Sequence, residues 1–304
     1  MVSLKQLQYL VAIADHLHFR RAAERSNVSQ PTLSTQLRDL EIRLGAQLVE
    51  RGNARVLLTP IGKEIAGRAR KILREVLEIT EIAKHGAASL EGTFRLGVLP
   101  TLGPYALPHF LPALHRDYPK LRLYVREGLS DALVHQLEEG RLDFLLVPLP
   151  LRRAEIETVR LFREPLLVVA PQEHHIAAKK TVRREDLRGE TVLALERGHL
   201  LHDQVHDLCE TYHAKMSLDF DGTSLDTLRH MVSMNLGISF LPLLYVLSEI
   251  HDDSVAARPF DRNPPNRMVG LAWRQRSPHR HDYRELADFI RQTLAEVPGL
   301  ITLR

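Results

Sequence analysis

A chain of 304 residues can bury a large core and hold two or three domains. Its 44% hydrophobic and 26% charged residues are the mix of an ordinary globular protein. No run of about 18 apolar residues is present, which excludes a hydrophobic membrane span. Cys209 is the one cysteine, so an intrachain disulfide is excluded and a reducing compartment fits.

The opening Met1-Val2-Ser3-Leu4-Lys5 has no apolar signal core, so a cytoplasmic location is expected. The net charge of +3 is unevenly spread. Residues 1–90 hold 14 Lys and Arg against 9 Asp and Glu, and the remainder 27 against 29. A basic leading module on a near-neutral body predicts contact with a polyanion.

Ser3 and Gln6 form a capping-box pattern, and Leu4, Leu7, Val11 and Ala14 follow on one helical stripe. A second helix is predicted over Phe19–Ser26, with Ala22 and Ala23 small enough for close packing. After a short Asn27-Val28 turn, Ser29 can cap a third helix that takes Pro31 in its first turn. Leu33, Leu37, Leu40 and Leu44 give this helix a buried face. Its other face carries Gln30, Thr32, Ser34, Thr35, Gln36 and Arg38, short and medium hydrogen-bonding groups of the kind that read base edges. Helix, turn and polar-tipped helix predict a helix-turn-helix. Leu48–Arg51 and Arg55–Leu58 bracket Gly52-Asn53-Ala54, a hairpin that would lay Arg51 and Arg55 on phosphates. Arg20 and Arg21 are likewise placed for the backbone. A lone arginine is usually a solvated surface charge; three basic points around one polar helix predict duplex DNA.

Thr59 and Pro60 open a helix predicted to run to about His85, roughly 39 Å long. Ile65, Ala69, Ile72, Val76, Ile79 and Ala83 make a narrow apolar seam of the coiled-coil kind. Two copies packed along it would set two recognition helices on one duplex. The alternative is packing on the chain's own body. Gly86-Ala87-Ala88-Ser89 is predicted to be a linker.

From Thr93 the pattern becomes α/β. Strands are predicted at Phe94–Leu99, Leu121–Val125, Leu142–Val147, Leu166–Ala170, Val192–Leu195, Ile238–Leu241 and Met268–Trp273. Helices are predicted at Asp131–Glu139 and Tyr283–Leu294. A mainly parallel sheet in two lobes is expected, lobe I from 90–164 and 268–304, lobe II from 165–267, with a ligand cleft between them. Thr101 in Pro100–Pro104, Ser130, and Gly198-His199 stand at strand ends and are candidate donors to that cleft.

The blocks His18–Ala23, Val28–Ser34, Leu40-Glu41 with Leu44-Gly45 and Leu48, and Leu58–Gly62 resemble the N-terminal winged helix of LysR-type transcriptional regulators. The resemblance implies that Gln30, Pro31, Ser34 and Arg38 lie on the DNA-reading helix. Pro100–His109, Glu196–Cys209 and Thr223–Val232 resemble the OxyR-type peroxide sensors, a branch of that family. It implies a winged helix-turn-helix over 1–58, a linker and dimerisation helix over 59–89, and a two-lobed effector-binding domain over 90–304. Thr101, Ser130, His199 and Cys209 match positions lining the peroxide pocket; with Leu102, Leu200, Asp203 and Thr223 they make the expected effector site. In that branch a reactive cysteine follows the Gly-His pair and later joins a resolving cysteine. Here Leu200 occupies the first position and Cys209 the second. Leucine cannot act as a nucleophile, and one sulfur cannot close an intrachain bridge. Three outcomes stay open: another small effector, a constitutive regulator held in a reduced-like state, or oxidation of Cys209 alone.

His202, His206, Cys209 and His213 fall on one face of the helix from Leu200, with ligand types suited to zinc or copper. The apolar stripe of Leu201, Val205, Leu208 and Tyr212 beside them makes that face equally a solvated one, and neither a metal nor a cofactor is expected. An enzyme using Cys209 or His199 is disfavoured, since no phosphate-binding Gly loop or nucleophile elbow accompanies them. A solute receptor would leave the first ninety residues unexplained. The expected partners are promoter DNA, a second copy and through it a homotetramer, a small-molecule effector, and RNA polymerase; a membrane is not.

Overall fold

A computed structural model describes residues 2–51, 56–84 and 90–303, leaving aside the side chains of 51, 77, 78 and 80–84. The chain divides into two compact units, Met1–Ala88 and Ser89–Arg304. None of the described helices is long and apolar enough to cross a membrane.

The first unit holds α1 (Leu4–His16), α2 (Phe19–Arg25), α3 (Gln30–Leu44), β1 (Val49–Arg51), β2 (Val56–Leu58) and α4 (Pro60–Lys84). The capping box forms in both directions: Ser3 Oγ accepts from Gln6 N–H, and Gln6 Oε1 from Ser3 N–H, at 3.2 and 3.1 Å. Leu10, Ile13, Ala22, Leu33, Leu37, Leu40, Leu48 and Val49 close one core. Glu41 Oε1 accepts from the N–H groups of Leu48 and Val49, which ties the end of α3 to the start of the antiparallel hairpin. Thr59 Oγ1 accepts from Gly62 N–H and donates to Gln47 O. Gly62 lies so close to the backbone just before β1 that a Cβ there would run into Leu48 O.

The seam of α4 is split. Ala66 and Ala69 are buried and Ile65 packs against the core of the same unit. Arg70, whose side chain is 10% exposed, pairs with Asp15 of α1 at 2.6 Å. The near half of the helix therefore uses its apolar face on its own domain, a correction to the expectation of one continuous intermolecular seam. Farther along, Ile72 and Ile79 stay exposed. The side chain of Ala83, the hairpin tip with Arg55, and the linker over 86–89 lie outside what is described.

The second unit runs β3 (Gly92–Val98), α5 (Gly103–Asp117), β4 (Leu121–Glu127), α6 (Ser130–Glu138), β5 (Phe144–Leu149), β6 (Ile156–Pro171), β7 (Thr191–Leu195), α7 (Leu200–Tyr212), β8 (Lys215–Gly222), α8 (Leu225–Ser233), β9 (Ile238–Pro242), α9 (Leu243–Glu249), β10 (Val255–Arg258), β11 (Asn266–Arg274), α10 (Arg280–Leu294) and β12 (Ile301–Thr302). Strand order is β4-β3-β5-β11-β6-β9-β7-β8, with β10 and β12 also on β6. β4, β3 and β5 pair parallel, as do β9, β7 and β8, but the three central pairs β5-β11, β11-β6 and β6-β9 are antiparallel. The sheet is thus mixed, not mainly parallel. The cause is β6, which pairs with β11 as far as Pro165 and with β9 from Leu166. One strand carries the chain from one lobe to the other, and β11 returns beside it in the opposite direction. Trp273, Tyr245, Tyr283, Phe110 and Phe162 are fully buried in a core that continues across both lobes.

Candidate nucleic-acid interface and ligand cleft

Leu33, Leu37 and Leu40 are fully buried, which turns the opposite side of α3 outward. Gln30, Pro31, Thr32, Thr35 and Arg38 are exposed on it and Ser34 is half-buried. Ser29 caps the helix by accepting from Thr32 N–H at 3.3 Å, and the two hydroxyls meet at 2.7 Å. Thr32 is therefore occupied in the cap, which leaves Gln30, Thr35 and Arg38 as the freer polar groups of this face. Arg21 is exposed; Arg20 is exposed too but rests on Glu24 at 3.1 Å. At 76% and 63% exposure that pair is weak, so a phosphate can displace the carboxylate. Arg51 closes β1, its side chain undescribed, and Arg55 falls outside the described residues. A polar helix N-terminus raised on a small rigid domain, with cations beside it, is the shape that enters a major groove.

In the second unit a cavity of about 220 Å³ opens where the lobes meet, lined by Leu99, Thr101, Pro148 to Pro150, Leu200, Leu201, Gln204 and Asn266 to Met268. Thr101 comes from the turn after β3, Leu200 and Gln204 from the first turns of α7, and Arg267 from β11. Of the expected effector residues, Thr101 and Leu200 line this cleft. Leu102 is fully buried before α5, and Asp203 and Thr223 are exposed. Ser130, the first residue of α6, and His199, just before α7, are both buried, and Gly198, at φ +101°, lies against Leu129. Among the described residues His199 Nδ1 has no hydrogen-bond partner.

Two residues that pattern reading passed over hold the cleft together. Glu164 on β6 and Arg267 on β11 stand opposite each other in the register where both strands pass between lobes. Their side chains are 0% and 4% exposed and meet at 2.6 Å, Arg267 Nε to Glu164 Oε2. Leu244 N–H donates to Glu164 Oε1 at 2.9 Å, and Arg267 donates to Thr101 Oγ1 and Thr101 O at 3.2 and 2.8 Å. Both ends of the ion pair are thus satisfied, which makes burial of two charges tolerable. The one guanidinium lining the cleft is neutralised by its own carboxylate. The signal in the sequence was a charged residue abutting an apolar run, Glu164 before Pro165-Leu166-Leu167 and Arg267 before Met268-Val269.

Cys209 sits on the core side of α7, 3% exposed and away from the cleft. Burial pushes its thiol up to about 11. The row of ligand types on α7 disperses: His202 Nδ1 is 2.6 Å from Leu195 O, Cys209 faces inward, and His206 and His213 are exposed.

Two family descriptions match the chain: "Bacterial regulatory helix-turn-helix protein, lysR family" over residues 4–63 and "LysR substrate binding domain" over 87–295. The chain is 42% identical over 290 residues to the DNA-binding transcriptional dual regulator OxyR of Escherichia coli, covering 95% of each. It is 32% identical to the HTH-type transcriptional regulator EstR of Acinetobacter baylyi over 297 residues, 96% of this chain and 97% of that one. Among solved structures, a full-length OxyR variant from Pseudomonas aeruginosa superimposes with a TM-score of 0.82 at 38% identity, covering 96% and 95% of the two chains.

Proposed function

The chain belongs to the LysR family as an OxyR-like, DNA-binding transcriptional regulator with an effector-binding domain, and from that premise we propose how its parts work. The N-terminal unit enters the major groove of promoter DNA with the first turns of α3. Gln30, Thr35 and Arg38 meet base edges there, Pro31, Thr32 and Ser34 fix the tip of the helix, and Arg20, Arg21, Arg51 and Arg55 hold phosphates. The observation that carries this is the outward polar face of α3 over fully buried Leu33, Leu37 and Leu40. Two copies join through the open half of α4, around Ile72 and Ile79, and pairs of dimers give a homotetramer on DNA in the cytoplasm, within reach of RNA polymerase.

The cleft between the lobes takes the effector. Its lining favours a compact, uncharged molecule with a mostly apolar surface: Leu99, Leu149, Leu200 and Leu201 supply carbon, and Arg267 is already paired. With Leu200 at the cleft and Cys209 buried and protonated, the effector acts without thiol chemistry. Relatives are described as hydrogen peroxide-inducible genes activators, so the decisive experiment is a peroxide titration read by DNA footprinting. The footprint is expected to stay unchanged. A dithiothreitol-reversible change would overturn the effector assignment, and its loss in Cys209→Ser would assign the switch to that thiol. In gel shifts, Arg38→Ala is expected to weaken binding by about 1–3 kcal/mol, with affinity falling steeply as salt rises. Unaltered affinity, or no salt dependence, would overturn the DNA interface.

A further inference from the structure

The described residues contain a different convergence of metal-ligand types from the one on α7. His174 and His175 follow the end of β6, and Glu190 precedes β7; their ligand atoms lie within 4.8 Å of one another. His174 Nε2 is 3.2 Å from Glu190 Oε2, and His175 Nε2 is 3.6 Å from Glu190 Oε1. The two imidazole rings are 4.5 Å apart at their centroids. We propose that His174, His175 and Glu190 form a binding site for a borderline divalent transition-metal ion of the zinc class on the second lobe, outside both the DNA face and the effector cleft.

Three considerations carry the assignment. The first is distance. A tetrahedral ion held at about 2.05 Å by each ligand needs ligand atoms about 3.4 Å apart. Each imidazole stands at about that distance from one oxygen of Glu190, His174 from Oε2 and His175 from Oε1, and turning the carboxylate offers one oxygen to both. The gap between the imidazoles closes by rotation of His175, which is 54% exposed and leaves a path for the ion from solvent.

The second is preorganisation. His174 N–H donates to Pro171 O, and Ala177 N–H to His174 O. Glu190 N–H donates to Leu187 O, and Lys215 N–H to Glu190 O at 2.7 Å. Both loops are therefore pinned on either side of their ligands.

The third is chemistry. Two neutral imidazoles and one carboxylate give a divalent ion three donor groups at once, one of them of opposite charge. Two imidazoles and a carboxylate suit zinc, nickel, cobalt or copper, not the all-oxygen shells of magnesium or calcium. A fourth position stays open to water. Coordination through Nε2 leaves the proton on Nδ1 of His174, so the long 3.3 Å contact from Ile176 N–H gives way. That loss, with only three protein ligands, makes the site weaker than a four-ligand structural zinc site.

The test uses the full chain with Cys209→Ser, so that no thiol contributes. Titration with zinc chloride by calorimetry at pH 7.5 is expected to give one ion per chain. His175→Ala and Glu190→Gln should each weaken it at least tenfold, while a joint His206→Ala, His213→Ala change leaves it untouched. Circular dichroism melts without metal identify a variant that fails to fold, and His175→Gln then replaces it. With cobalt, visible bands of a nitrogen and oxygen set should appear in the Cys209→Ser chain and vanish in Glu190→Gln. No binding below about 100 µM, binding that survives His175→Ala and Glu190→Gln, or binding lost with His206 and His213 would overturn the site.

Discussion

Replacing Arg267 with methionine keeps the aliphatic bulk and removes the guanidinium. It breaks the 2.6 Å pair to Glu164 and both hydrogen bonds to Thr101, leaving a fully buried carboxylate with the Leu244 N–H as its remaining partner. Removing one member of such a pair costs about 3–5 kcal/mol, because the orphan charge stays desolvated. For a body of this size each kcal/mol is worth about 2–4 °C of Tm, so a fall of roughly 10 °C is expected. The assay is a thermal melt of the full chain by circular dichroism, with Arg267→Met beside the double change Glu164→Gln, Arg267→Met. Deleting the charge as well should restore more than half of the loss. A single variant that loses less than about 1 kcal/mol, or a double variant no better than the single, would refute the claim that this pair governs the lobe crossing.

Cys209, raised to about 11 by burial, should be alkylated by iodoacetamide at pH 8 at least about 100-fold more slowly in the folded chain than in the denatured one. Its folded value lies above the ordinary 9.0, so its share of stability is complete below about pH 9 and lost as pH rises towards 11; alkaline melts of Cys209→Ala should lack that component. Ile79→Glu places a charge at a site 67% exposed. It should leave the melting of the protomer within about 0.5 kcal/mol but weaken self-association at least tenfold by sedimentation; unchanged assembly would remove α4 from the interface. Gly62→Ala drives a methyl into Leu48 O and should destabilise the N-terminal unit by about 1–3 kcal/mol in urea, with DNA affinity falling alongside; wild-type stability would refute the close approach.

The elements that the sequence made legible are those whose cause lies within a few neighbouring residues. Ser3 with Gln6, Ser29 before Pro31, and Leu33, Leu37 and Leu40 at helical spacing are local patterns, and α1 and α3 follow them closely. Apolar strands such as Leu166–Ala170 and Met268–Trp273 were visible for the same reason. The edge strand β8 is less plain: Met216, Leu218 and Phe220 alternate with Ser217, Asp219 and Asp221, but Leu218 to Asp221 are exposed on both faces, so the alternation marks no buried side. The first half of β6 was missed because its charged residues alternate with few apolar ones until Leu161.

The sequence by itself determined the winged helix-turn-helix and the α/β body, since each is written in short runs of neighbouring residues. The tertiary structure alone decided that α4 spends half its apolar face on its own domain. It also decided that the α7 histidines disperse while His174, His175 and Glu190 converge, and that Glu164 meets Arg267. That last pair lies 103 residues apart, joined only because two strands cross between lobes in opposite directions. Local periodicity records which face a residue takes, but a partner so distant in the chain is chosen by strand register and packing, which no short window of sequence contains.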